Sequence, residues 1–141
     1  MRITSRRWIA ALGLALAPAL AHSQADLDST PALLAARAWL AHLDAGRYGK
    51  TYEDAAPVMR DSVTKVQWEA GIERARGSLG VAVARKIRQA ACSHGTQADP
   101  EAEICTVQYD TQFENRPLGD ERVTVLRGRD GAWRVGAYQL R

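Results

Sequence analysis

The sequence predicts an α+β domain, with about three helices from its first half packed on a four-stranded antiparallel sheet from its second half. Three observations carry this expectation. Between Ala32 and Leu79 apolar residues recur every three or four positions, which is the helical period. From Val81 onward the period falls to two, the signature of strands with one buried face. Between the last two alternating runs stands Asp130-Gly131, a strong hairpin turn. Helical runs followed by strand runs place helices on one face of a meander.

Residues 1–21 read as a secretory leader. Arg2, Arg6 and Arg7 form a basic start, Trp8 to Leu20 is apolar, and Ala19-Leu20-Ala21 is a small-x-small cleavage pattern. Cleavage near Ala21 to Ala25 would leave the chain periplasmic or secreted. The run is too short to span a bilayer and no cysteine follows it, so no stable membrane anchor is expected. Ser5-Arg6-Arg7-Trp8-Ile9 bears a faint likeness to a twin-arginine signal, which an ordinary leader explains as well. Residues 22–29 form a short linker, and 30–141 a single domain.

Thr30 caps the first helix, with Pro31 at its first position. Ala32, Ala36, Trp39, Leu40 and Leu43 make its apolar face, and Gly46 stops it. Thr51 and Asp54 start a short second helix that Pro57 disturbs or ends. Thr64 to Gln67 is a capping box opening a third, with Trp68, Ile72, Ala75 and Leu79 inward and Gly77 and Gly80 ending it.

In the first strand, Val81 to Cys92, alternation puts Val81, Val83 and Ile87 on one side and Lys86 and Arg88 on the other. Cys105, Val107, Tyr109 and Phe113 form the apolar side of the second. Val123 and Val125 mark the third; Trp133, Val135 and Ala137 mark the fourth. Two cysteines thirteen positions apart in an exported domain are expected to pair. Strict alternation puts Cys92 and Cys105 on incompatible faces. Either a bulge near Gln89 to Ala91 switches the phase, or Cys92 has left the strand; the loop-like Ser93-His94-Gly95 favours the second.

The chain carries 19 Lys and Arg against 16 Asp and Glu, a formal +3. Removal of the three leader arginines leaves a neutral chain, so a nucleic-acid partner loses its warrant. No cofactor motif is present, and neither His42 nor His94 stands at metal-ligand spacing. Ser78, in Arg-Gly-Ser-Leu-Gly, lacks the strand–elbow–helix setting of a serine hydrolase.

Several strings together carry a family likeness. They are Ala38-Trp39-Leu40 with Asp44-x-Gly46-x-Tyr48, Ala55-Ala56, Val63-Thr64-Lys65 through Trp68, and Arg76-Gly77-x-Leu79-Gly80 with Arg85-Lys86. Gln108-Tyr109-Asp110-Thr111-x-Phe113-Glu114-Asn115 and Asp130-Gly131-x-Trp133-Arg134-Val135-x-x-Tyr138 complete the set. This pattern resembles the exported bacterial proteins of domain-of-unknown-function family 4019 over nearly the whole domain. The resemblance implies a bacterial, exported protein and brings no reaction with it. The order of elements is also similar to cystatin-like and nuclear-transport-factor-2-like cones, an analogy that does not fix function.

The basic run Arg74, Arg76, Arg85, Lys86 and Arg88 supplies the candidate ligand contacts. If Arg76 and Arg85 converge across the helix–strand turn, they can fork a carboxylate or phosphate. The helix dipole is a sufficient use for Arg74 and Arg76. Pairing with Glu121 or Asp110 is as good a use for the strand arginines. In an open cone Tyr52, Trp68, Tyr109 and Phe113 would line the mouth; otherwise Trp39, Trp68 and Trp133 are core anchors. The expected function is non-catalytic binding of a small ligand or an envelope partner, with Arg76, Arg85, Tyr109, Trp68 and Tyr52 as site residues. The rivals are a pocket enzyme of isomerase type with Asp110 or Glu121 as base, and a subunit of an envelope assembly.

Overall fold

The computed structural model describes residues 30–94 and 102–141, so the expected leader and linker lie outside the described residues. Among the described residues four helices precede four strands: α1 (Pro31–Asp44), α2 (Tyr48–Glu53), α3 (Pro57–Ser62), α4 (Lys65–Arg76), β1 (Ala82–His94), β2 (Glu103–Phe113), β3 (Arg116–Arg127) and β4 (Trp133–Leu140). The strands form one antiparallel sheet in the order β1-β2-β3-β4.

Local chemistry sets the helix ends. The Thr30 hydroxyl accepts from the Leu33 amide, Pro31 opens α1, and Gly46 takes φ 70° just beyond its end. The α1 face is as expected, with Leu33 added: all six residues are buried. Pro57 departs from expectation. It opens α3 at the first helical position, where its missing N–H costs nothing, and α2 begins earlier, at Tyr48. The second expected helix is thus two, joined where the Ala56 amide donates to the Val135 carbonyl, 2.8 Å away. In α4 the Thr64–Gln67 capping box forms. Its inward position after Ile72 belongs to Arg76, four residues on, while Ala75 is exposed.

The core lies between α1 and the inner face of the sheet, around Trp39, Leu40, Val107, Val123, Val125 and Val135. Trp39 packs against Trp68 and Tyr138 with ring centroids 5.9 and 5.5 Å apart. Both indole nitrogens donate to Thr51, Trp39 to its carbonyl and Trp68 to its hydroxyl. Those bonds tie α1 and α4 to α2.

Among the described residues the pairing shifts register four times, once beside the β2–β3 turn between Thr111 and Phe113 and three times at bulges that change which residues point inward. Between Ala82 and Ala84 the register slips at Val83, so Val81 and Val83 are exposed and Arg85 turns inward opposite Thr111. Between Ile87 and Gln89 the extra residue is Arg88, after which Ala90 and Cys92 face in. Cys92 therefore remains in the strand, directly opposite Cys105, and the two form a disulfide. The phase switch comes one residue before the stretch expected to hold it. His94 is likewise a strand residue, paired with Glu103. In β4 the surplus residue is Gly136, so Ala137 is exposed and Tyr138 turns inward opposite Val123.

Candidate functional site

Four charged side chains converge where the end of α1 meets the sheet. Asp44 ends α1, Arg76 ends α4, Arg85 comes from β1 and Glu121 from β3. Glu121 is 0% exposed and Arg76 5%. Arg85 forks Asp44, Nη1 to Oδ2 at 2.7 Å and Nη2 to Oδ1 at 3.0 Å, while its Nε donates to Glu121 Oε2 at 2.7 Å. Arg76 Nη2 donates to Asp44 Oδ1 at 2.7 Å, and its Nη1 stands 3.6 Å from Glu121 Oε1. The Thr111 hydroxyl donates to Glu121 Oε2 and the Tyr138 hydroxyl to Oε1, at 2.5 and 2.6 Å. The Arg76 guanidinium also lies 5.2 Å from the centre of the Phe113 ring.

Arg76 and Arg85 thus converge on a carboxylate, Arg85 with a fork and Arg76 with a single bond, but the carboxylate is the chain's own. Two cations meet two anions, and the cluster is neutral. Burial works against the charge on Asp44, yet hydrogen bonds and charge from Arg85 and then Arg76 outweigh it, holding the carboxyl below its ordinary 3.8. Burial alone would lower Arg85; its bonds to Asp44 and Glu121 win, and it stays charged. Burial first, then the Glu121 charge, raises the Tyr138 hydroxyl well above its ordinary 10.

Beside this cluster a cleft of about 620 Å³ opens between α1 and the β1–β2 hairpin. Helix α1 lies mainly across β4 and β3, which leaves β1 standing clear as an edge strand. Leu40 and Ala41 form the helix side, Ile87 and Tyr109 the sheet side, Arg85 and Asp44 one end, and Arg37 stands on α1.

The expected site residues divide. Arg85 and Tyr109 line the cleft; Arg76 is buried behind Asp44. Trp68 packs on Trp39 and bonds Thr51, and the Tyr52 hydroxyl donates to the Arg60 and Val63 carbonyls, so neither lines the cleft. Phe113 is 1% exposed, beneath Arg76. Asp110 lies on the outer face, where the bulged Arg88 bridges it to Asp120 at 3.1 and 2.7 Å. The His42 Nδ1 accepts from Arg47 Nε at 3.0 Å. Among the described residues no group of three or more His, Cys, Asp and Glu could hold a metal ion, and no helix is long and apolar enough to cross a membrane.

Residues 35–138 match the family described as "Protein of unknown function (DUF4019)". The chain belongs to the DUF4019 family. Comparison with curated proteins gives no match. The DUF4019 span runs from within α1 to Tyr138, so it takes in the whole charged cluster and the cleft beside it.

Asp44, Thr111, Tyr138, Ile87 and Arg37 were not legible as site residues. Asp44 did leave one signal, since an acid at a helix C-terminus opposes the dipole and needs a strong cationic partner. Thr111 and Tyr138 left none, because a hydroxyl in an alternating run looks the same on either face.

Proposed function

We propose that this is an exported, non-catalytic module that holds a small ligand in the cleft between α1 and the β1–β2 hairpin. The observation that carries the reading is the cleft itself, about 620 Å³ with an apolar floor of Leu40, Ile87 and Tyr109. That size falls within the ~300–1,000 Å³ usual for small-molecule sites. A helix laid across a meander, with one edge strand standing clear, fits the cystatin-like or nuclear-transport-factor-2-like cone. The disulfide and the leader-like start fit a periplasmic or secreted protein. A neutral chain after the leader gives no support to a nucleic-acid partner.

The base-catalysed alternative meets an obstacle. A carboxylate offers about four lone-pair directions; Glu121, 0% exposed, accepts from Arg85, Thr111 and Tyr138, and Arg76 stands 3.6 Å from Oε1, beyond hydrogen-bond reach. Asp110 is held on the outer face by Arg88. An envelope partner has one feature in its favour: β1 is an edge strand with Val81 and Val83 exposed at its start.

The test is a thermal-shift screen of the oxidised protein against periplasmic metabolites, lipids and cell-wall fragments. A cleft ligand at one hundred times its Kd adds about 2.7 kcal/mol. Ala41, exposed on the cleft wall, gives the control. Ala41→Trp is expected to abolish the shift while melting close to the parent; a shift that survives it would put the ligand elsewhere.

A further inference from the structure

We infer that the cleft takes a free small molecule with one carboxylate on a short apolar body, and that Arg37 grips the carboxylate. This deepens the cleft reading above and rests on it. The first support is a charge count. All three guanidinium nitrogens of Arg85 are committed, Nε to Glu121 and both Nη to Asp44. With Arg76 added, the cluster at that end of the cleft has no net charge. Lys86 also borders the cleft, exposed and in no ion pair among the described residues, since the carboxylate of its register partner Asp110 bonds Arg88. It stands at the strand edge, on the face opposite the one Arg85 and Ile87 share, and offers a point charge rather than a planar fork. Arg37 has the fork. It lines the cleft, is exposed, and takes part in no ion pair among the described residues.

Geometry supplies the rest. Arg37, Ala41 and Asp44 lie along one stripe of α1, spaced by four and three residues. Arg37 and Asp44 are seven residues apart, roughly 10 Å along the helix. Between them lies the apolar floor of Leu40, Ile87 and Tyr109. A ligand with its anion on Arg37 lays its body over that floor and ends near Asp44. One guanidinium presents a planar fork that matches one carboxylate. A phosphate monoester brings about −1.5 to −2 charge at neutral pH, more than a single guanidinium neutralises, and the neutral cluster at the other end supplies none of the balance. The occupant is thus a monoanion whose apolar part spans about two helical turns.

The oxidised protein is titrated with octanoate, octan-1-ol and octyl phosphate, followed by backbone-amide NMR, in the parent, Arg37→Gln and Arg37→Lys. Gln and Lys keep a helix-favouring residue at an exposed position, so folding is preserved. Octanoate is expected to shift the Leu40, Ala41, Ile87 and Tyr109 amides, and octan-1-ol the same ones more weakly. Arg37→Gln is expected to weaken octanoate about tenfold or more, the worth of a charged hydrogen bond, and to leave octan-1-ol unchanged. Arg37→Lys, with charge but no fork, is expected to fall between. Equal affinity for octanoate and octan-1-ol, or octanoate binding indifferent to Arg37→Gln, overturns the head-group assignment and leaves the cleft reading standing. Tighter binding of octyl phosphate overturns the choice of carboxylate. Arg37-dependent sedimentation with phosphatidylglycerol vesicles overturns the choice of a free ligand in favour of a lipid headgroup. No shift at the cleft amides with any probe overturns this inference, whereas the cleft reading falls only if the wider screen gives no shift that Ala41→Trp abolishes.

Discussion

Glu121 sits in the sheet with no water contact and gives both oxygens to neighbours. Its negative charge holds Arg85 and faces Arg76, so its loss would leave two largely buried guanidinium groups with Asp44 as their one carboxylate. Breaking a buried pair from one side costs about 3–5 kcal/mol. Glu121→Gln, which keeps the size and drops the charge, is expected to cost that much in urea denaturation. Adding Arg76→Met should return part of the loss, because it removes one of the stranded cations; no recovery would mean that charge does not hold Arg76 in place. On the outer face, Asp110 and Asp120 are direct cross-strand neighbours, a like-charged pair that opposes sheet formation. Arg88 reaches both, and it can do so because it is the surplus residue of its bulge. A single bulge thus places an outward cation between two acids and also sets the phase that pairs the cysteines.

Among the elements, the Cys92–Cys105 pair joins β1 and β2 by the end of the hairpin where residues 95–101 lie between them. Closing a loop of this length stabilises by about 3 kcal/mol on the chain-entropy estimate. Cys92→Ser with Cys105→Ala is therefore expected to lower the urea midpoint by a corresponding amount, as is reduction of the parent protein; unchanged midpoints would show that strand pairing alone holds the hairpin. The helices were largely legible, since Thr30-Pro31, Gly46 and Thr64–Gln67 encode their own ends and the face of α1 follows from spacing. Strand positions were legible, but strand phase failed at Val83, Arg88 and Gly136. A surplus residue leaves no mark in composition. At Gly136 there was a partial one, because a glycine inside a strand often marks a bulge; a Cβ there would meet the Leu126 side chain, which would have to shift. The site followed the same line. Arg85 and Tyr109 were readable as cleft residues because each lies in a strand with an evident role. Tyr138 and Thr111 became site residues only when β2, β3 and β4 were in register.

For the whole molecule, the ion pairs set how stability depends on pH. Asp44, Asp120 and Asp130 all titrate below the ordinary 3.8: Asp44 because its arginines outweigh burial, Asp120 through its bond to Arg88, and Asp130 at about 2 beside Arg134. Their folded values lie below the unfolded ones, so their contribution is complete above about pH 4 and is lost as the pH falls toward 2. Tyr138 works in the opposite sense. Its folded value is raised above 10.0, so its contribution is complete below about pH 10 and is lost above it, as the unfolded chain ionises first. A plateau in urea midpoint from about pH 4 to 10 is expected; a decline beginning near pH 6 would show that these carboxylates do not set the acid limb. The three bulges also bear on how such a domain can change over time. Arg85, Cys92 and Tyr138 each face inward only because one residue more than strict pairing requires lies between them and the preceding inward position. Exchanging a side chain at Val83 or Arg88 leaves that count intact, whereas losing one residue there reverses every position downstream in the strand. For these strands a change of length disturbs more than a change of side chain, so a gap at a bulge would mark a deeper change than a mismatch there.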